Sequence, residues 1–283
     1  MKPWEEALEQ WAGKSRRERA LAGAGGPGTL LVTGTVGAVV LKRGVPYREV
    51  YLYEAVGERL RGRGLSVPRL RASGRNPDWI VLEFLPEPLP QERWENDPEV
   101  LSYLARLHRQ SPALLSGCLD PYKFSWDETA LAALSTLVDG GLAGRVAGIL
   151  RDNAALFSSL FSPVTWIHGD PNPTNWLLTH GGSVALTDWS RYGRAHPAVD
   201  IAIALPGLPY LEVLQHSAET YCILNGDLVG NPSDMARRVA LAKLWSFLDF
   251  LLMAYRGELG SVAGPAVEML RERLAQWVAA VFS

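Results

Sequence analysis

Hydrophobic residues follow a strand rhythm in the first third of the chain and a helical one through most of the rest. Thr29-Leu30-Leu31-Val32-Thr33 and Val36-Gly37-Ala38-Val39-Val40-Leu41-Lys42 are runs rich in β-branched residues, separated only by Gly34-Thr35. That pattern predicts a hairpin with a glycine-containing turn. Ahead of it, Trp4, Leu8 and Trp11 stand at helical steps and lead into Ser15-Arg16-Arg17-Glu18-Arg19, so short leading helices are expected over 4–22. Val50, Tyr53, Gly57 and Leu60 recur at three- and four-residue steps, predicting a helix from Tyr47 to about Arg61 with Glu54 at the edge of its apolar face. Trp79-Ile80-Val81-Leu82-Glu83-Phe84 reads as a further strand. It runs into Leu85-Pro86-Glu87-Pro88-Leu89-Pro90, whose three prolines can continue neither a helix nor a central strand. A boundary is expected there, between a small β-rich lobe over 1–85 and a larger, mainly helical lobe over 86–283.

In the larger part, Val100, Leu101, Leu104 and Leu107 predict a helix near 98–109, and further helices are expected at 127–138 and 144–161. Thr165-Trp166-Ile167 is a short strand. Leu177-Leu178-Thr179 and Val184-Ala185-Leu186-Thr187 flank a Gly181-Gly182 turn, and long helical periodicity fills 234–256 and 265–281. The fold class is therefore α+β. Composition agrees with an ordered globular chain: 47% of the 283 residues are hydrophobic and 20% charged. A formal net charge of -2 gives no electrostatic case for nucleic acid. The first residues lack an apolar signal segment, and no run of eighteen is both apolar and uncharged, so a cytoplasmic protein without a membrane span is expected. Cys118 and Cys222 have no companions at metal or redox spacing and read as two thiols.

The chemistry concentrates in His168-Gly169-Asp170-Pro171-Asn172-Pro173-Thr174-Asn175 and in Asp188, which follows the Val184 strand. An aspartate, an asparagine five residues later and a second aspartate at a strand end is the pattern of phosphoryl transfer from a magnesium nucleotide. Asp170 is the candidate base toward an acceptor hydroxyl, and Asn175 and Asp188 offer hard oxygen ligands to Mg²⁺. Lys42 ends the second strand of the hairpin, and a strand lysine paired with a helix glutamate fixes an ammonium on the phosphates. Glu54 is the expected partner. Glu49 is its rival, set aside because it lies nearer the helix start. The glycine run 23–28, including Gly25 and Gly26, either lies over the phosphates or is a plain connector. His168 is expected to be structural, its ring bonded to nearby backbone. His108 reads as a packed core histidine and His180 as a surface turn residue.

These residues resemble the aminoglycoside phosphotransferase family, the small-molecule branch of the two-lobed protein-kinase-like fold, over most of the chain from about Gly25 to the helices beyond Asp200. His168 to Asn175 is similar to its catalytic loop, Asp188-Trp189 to its second magnesium motif, and Leu104-Ala105-Arg106-Leu107-His108 to its helix ending in Leu-His. The resemblance implies that Lys42 and Glu54 are the phosphate lysine and its partner. It also implies that Glu83, Phe84 and Leu85 form the segment whose backbone meets adenine, and that Asp200 is a structural anchor. The implied activity is transfer of the γ-phosphate of ATP, with GTP as an alternative donor, to a hydroxyl of a small molecule. A catalytically silent scaffold and an aminoglycoside 3'-type resistance kinase are the competing readings. The silent reading suffers because Lys42, Asp170 and Asp188 are all present. The antibiotic reading is lowered because 201–283 holds eight acidic and six basic residues without a dense acidic run. Arg191 stands where an acidic residue is common, and it either faces an anionic substrate or, the favoured reading, pairs with a neighbouring carboxylate. No Ala-Pro-Glu segment follows Asp188, which argues against a protein kinase.

Overall fold

A computed structural model describes residues 2–21, 28–75, 78–110, 117–258 and 263–283. The chain opens with α1 (Glu5–Ala12), then β1 (Arg16–Ala20) and the hairpin β2 (Thr29–Gly34) and β3 (Ala38–Arg43). Next come α2 (Tyr47–Tyr51), a π-helical turn over Leu52–Val56, α3 (Gly57–Arg61), β4 (Leu70–Gly74) and β5 (Trp79–Glu83). All five strands pair antiparallel in the order β1-β2-β3-β5-β4. The expected hairpin is present, with Leu31 opposite Val40 and Thr29 opposite Lys42.

Two strands of this sheet escaped the periodicity. Arg16–Ala20 is not helical but an edge strand, and four of its five residues are exposed. An edge strand facing water needs no apolar alternation, and charge there blocks edge-to-edge association. β4 is likewise an edge, with every residue half-buried.

Alternation along β3 decides what each sheet face carries. Val39 and Leu41 point into a core with Leu8 and Ala12 of α1, Val32, Trp79 and Val81. Lys42, one residue further, therefore projects from the opposite face. Its strand has neighbours on both sides, pairing Lys42 with Thr29 and with Ile80, so its backbone position is fixed.

Beyond the sheet, β6 (Glu87–Pro88) precedes the helices α4 (Pro98–His108), α5 (Thr129–Ser135), α6 (Gly140–Asp152) and α7 (Ala154–Ser159). The expected helix 144–161 starts earlier, where Asp139 accepts from the Leu142 N–H, and breaks at Asn153, whose φ of -112 and ψ of 22 leave the helical region. Then follow β7 (Thr165–Ile167), β8 (Trp176–Leu178), β9 (Val184–Leu186) and β10 (Gly193–Ala195). The chain finishes with α8 (Ala198–Ala204), α9 (Leu211–Val229), α10 (Pro232–Tyr255) and α11 (Ala263–Val281). The fold is α+β and two-lobed, a small N-terminal sheet lobe and a larger helical one, as in protein kinases.

By contact, one compact unit comprises Met1–Gln91, Gln110–Tyr122 and His168–Gly193; the other comprises Glu92–Arg109, Lys123–Ile167 and Arg194–Ser283. This differs from a single division near residue 85. The physical reason is strand pairing: β8 pairs with β6 and β9, and the Leu186 N–H donates to the Ser66 carbonyl, which draws the whole 168–193 segment into the first unit. The second unit packs its helices on α10, whose Val239, Leu241, Leu244, Leu248 and Leu251 are buried. Among the described residues, no helix is long and apolar enough to cross a membrane.

Candidate active site

Within the first unit, Lys42 meets two carboxylates. Its Nζ lies 2.6 Å from Glu49 Oε1 and 3.1 Å from Asp188 Oδ1, and all three residues are buried. Burial alone would lower the Lys42 pKa, but the Glu49 and Asp188 carboxylates outweigh it and hold the ammonium above its ordinary value. Burial raises Glu49 against the pull of Lys42, and the Asp188 charge adds to the rise. A lone buried ammonium would be expensive; the paired carboxylates are what make this position tenable.

Glu54 is not the partner of Lys42. Its carboxylate accepts from Ser73 Oγ at 2.6 Å and from Arg75 at 2.8 Å, on the exposed side of the helix. Five residues at roughly 100° each turn a side chain about 140° around a helix, so Glu49 and Glu54 cannot share a face. The π turn over Leu52–Val56 further changes the phase that the periodicity assumed, and it seats Tyr53 inward with its hydroxyl 3.4 Å from Thr187 Oγ1.

The His168–Asn175 loop is bound to itself and to the end of β9. His168 is fully buried: its Nδ1 accepts the Asp170 N–H at 3.2 Å, so Nε2 carries the proton donated to the Thr187 carbonyl at 3.0 Å. Gly169 has φ 87, a backbone that a side chain would strain, which accounts for glycine between the histidine and the aspartate. Asn172 holds Asp170 Oδ1 at 3.0 Å and accepts the Thr174 N–H, starting the short 3₁₀ turn Pro173–Asn175. Asn175 donates from Nδ2 to the Asp170 carbonyl at 2.8 Å, and its own carbonyl accepts the Thr187 N–H at 3.0 Å. Asp170 and Asn175 are thereby fixed against the residue preceding Asp188. Asp188 itself is left-handed, with φ 62 and ψ 69, a conformation costing about 1–2 kcal/mol outside glycine.

The donor set suits a hard cation. Asn175 spends its amide N–H on the loop and keeps a carbonyl oxygen; Asp188 offers a carboxylate. Two such oxygens with nucleotide phosphates and water match the habits of Mg²⁺. Among the described residues no group of three or more His, Cys, Asp or Glu forms a metal cage, which the same habits do not require.

Of the segment expected to meet adenine, Glu83 ends β5 with its carboxylate on the Arg69 N–H at 3.1 Å, Phe84 is half-buried and Leu85 is buried. Gly25 and Gly26 lie outside the described residues. In the second unit, Asp200 Oδ2 accepts from His108 Nε2 at 3.0 Å while His108 Nδ1 meets the Tyr221 hydroxyl at 2.7 Å, all three buried. Arg191, expected beside a carboxylate, lies over the Tyr122 ring and donates to the Tyr122 hydroxyl at 3.2 Å. A cavity of about 880 Å³ in the second unit, lined by Ile149, Leu211, Glu219 and Arg237 among others, includes none of the residues of the Lys42 cluster or the loop. Two contacts had no forewarning in the sequence: Arg48 reaches across 142 residues to the Ser190 carbonyl and across 72 to Asp120.

Comparison with known structures places the fold among those of small-molecule kinases. The choline kinase LicA from Streptococcus pneumoniae superposes with a TM-score of 0.61 at 16% identity, covering 97% of this chain and 96% of that one. A choline/ethanolamine kinase family protein from Mesorhizobium loti gives 0.63 at 17%, covering 98% and 95%. An aminoglycoside phosphotransferase from Alicyclobacillus acidocaldarius gives 0.57 at 15%, covering 97% and 96%. At such identities these likenesses speak for the fold alone. No curated protein sequence matches the chain. The profile of the phosphotransferase enzyme family, however, matches residues 18–222, well over half of the molecule and inclusive of Lys42, Glu49, the His168 loop and Asp188. The chain belongs to the phosphotransferase enzyme family, whose members carry out kinase-type phosphoryl transfer.

Proposed function

We propose that the protein transfers the γ-phosphate of ATP to a hydroxyl group of a small molecule, with Asp170 as the base. The observation that carries this reading is the buried cluster of Lys42, Glu49 and Asp188 beside a loop that fixes Asp170 and Asn175. An ammonium has three N–H donors, and Glu49 and Asp188 take two of those on Lys42, which leaves one for a phosphate oxygen. Glu49 holds the ammonium in place, so its charge needs no reorganisation when the nucleotide arrives. Asp170, steadied by Asn172, accepts the proton of the acceptor hydroxyl as its oxygen bonds to the γ-phosphorus. The bond from that phosphorus to the bridging oxygen breaks, and ADP leaves with the electron pair. Mg²⁺, held by Asn175 and Asp188, would supply charge neutralisation on the phosphate oxygens. A fold relative described as a ternary complex with ADP and hygromycin B supports an adenine nucleotide as donor.

The test is calorimetric titration of ATP and GTP into the full chain, with and without Mg²⁺, beside Asp188→Ala and Asp170→Asn. Magnesium-dependent binding is expected in the wild type and lost in Asp188→Ala. Asp170→Asn should keep nucleotide affinity while transfer to acceptor alcohols, read as ADP release, falls by about 10²–10⁴. Absence of nucleotide binding by folded wild type would overturn the proposal, and normal turnover in Asp170→Asn would remove the base.

A further inference from the structure

Glu49 has a neighbour with an unexpected reach. Arg48 Nε donates to the Ser190 carbonyl at 2.6 Å, two residues beyond Asp188. Its other end meets Asp120: NH1 lies 3.0 Å from Oδ2, and the guanidinium carbon is 5.4 Å from the centre of the Tyr122 ring. Arg191 stacks on the same ring at 4.8 Å, and the Tyr122 N–H donates to the Tyr192 carbonyl at 2.8 Å. All these residues belong to the first compact unit.

The contacts close a ring. Arg48 and Glu49 are consecutive on α2; Glu49 holds Lys42, Lys42 holds Asp188, and the turn after Asp188 returns to Arg48 through Ser190. Asp188 sits in the left-handed region, which a non-glycine residue keeps only when its surroundings over-determine it. The Lys42 contact restrains its side chain, and nothing in that contact restrains the backbone that follows. Within the turn, Trp189 Nε1 donates to the Leu186 carbonyl at 3.1 Å and the Tyr192 N–H to the Trp189 carbonyl at 3.1 Å. Arg48 adds the restraint that ties the turn to α2, and a guanidinium can do so because its planar fork serves a carbonyl and a carboxylate together.

We propose that Arg48, seated by Asp120 and Tyr122, is a positioning residue that holds the Asp188 turn in the conformation presenting its carboxylate to the metal nucleotide. This rests on the phosphotransfer reading above. The segment 117–122 thereby becomes part of the machinery although it carries no catalytic group.

Two readouts on the full chain test it. In Arg48→Ala, the Mg²⁺ concentration at half-saturation of ATP binding should rise about tenfold, the usual size of a lost outer-shell support. Amide exchange over residues 188–192 should accelerate while exchange in β2, β3 and β5 stays as in the wild type. Arg48→Lys keeps the charge without the fork and should fall between the two proteins. Asp120→Asn should shift both readouts in the same direction by less. Wild-type magnesium dependence and wild-type protection at 188–192 in Arg48→Ala would overturn the proposal. Should Arg48→Ala not fold, the same result in both Arg48→Lys and Asp120→Asn would overturn it. If the wild type binds no nucleotide, phosphotransfer fails by itself, and exchange at 188–192 still decides whether Arg48 holds the turn.

Discussion

At the scale of single residues, two glutamates on one helical stretch have opposite fates. Glu49 is fully buried against Lys42, while Glu54 joins Arg75 and Ser73 at the surface. Removing one member of a buried charge cluster leaves the others unpaired, so Glu49→Ala should cost about 3–5 kcal/mol in a denaturant titration. Glu54→Ala, at an exposed pair, should stay within about 1 kcal/mol and keep nucleotide binding. Equal losses in the two variants would contradict the assignment of the lysine's partner. Such a cluster adds little net stability over a well-packed apolar one, so its presence argues for function. His168 illustrates the reverse case. Its two ring nitrogens are consumed by the Asp170 N–H and the Thr187 carbonyl, which makes it a brace for the loop.

Elements show where local rules are overridden. Helical spacing through Val50, Tyr53, Gly57 and Leu60 correctly marks a helix, but the π turn over Leu52–Val56 resets its phase midway. At the start of α8, His196 Nδ1 accepts the Ala198 N–H at 3.1 Å, which only a neutral imidazole can do. Burial, with help from Arg238 and His108, lowers its pKa to about 4 from an ordinary 6.5. Between those values the unfolded chain binds a proton that the folded chain refuses. Stability contributed by His196 is therefore complete above about pH 7 and is lost as the pH falls from 6.5 toward 4, by about 3 kcal/mol in all. Urea titrations across that range should show the decline, and His196→Asn should flatten it. At the other end of the same helix, Lys243 Nζ donates to the carbonyls of Ala202 and Leu205. Burial pushes its pKa down to about 7. Between about pH 7 and 10.5 the unfolded chain keeps a proton that the folded chain sheds, so stability should rise with pH over that range, and Lys243→Met should flatten the rise in urea titrations.

For the whole molecule, the order of the chain and the grouping of its parts diverge. Residues 168–193 lie far along the sequence yet belong to the compact unit of the N-terminal sheet, so Asp170, Asn175 and Asp188 share that unit with Lys42. A fragment beginning at residue 92 keeps most helices but deprives β8 of β6, Leu186 of the Ser66 carbonyl and Asp188 of Lys42. Such a fragment should be helical by circular dichroism yet expose 168–193 to rapid proteolysis, where the full chain protects it. Protection of that segment in the fragment would show that it folds without the sheet.

The order of amino acids was enough for the α+β class, the β2–β3 hairpin, most helices, and the candidacy of Lys42, Asp170, Asn175 and Asp188, because periodicity and motif spacing are short-range properties written in neighbouring residues. It did not determine the edge strands, β1 mostly exposed and β4 half-buried throughout, neither of which carries an apolar rhythm. Nor did it determine the choice of Glu49 over Glu54 or the reach of Arg48. Those depend on the rotational phase of a helix and on contacts between residues as far apart as Lys42 and Asp188, 146 positions in sequence. Only the packed fold sets such a phase, since a turn of roughly 100° per residue sends one carboxylate to the lysine and the other to water.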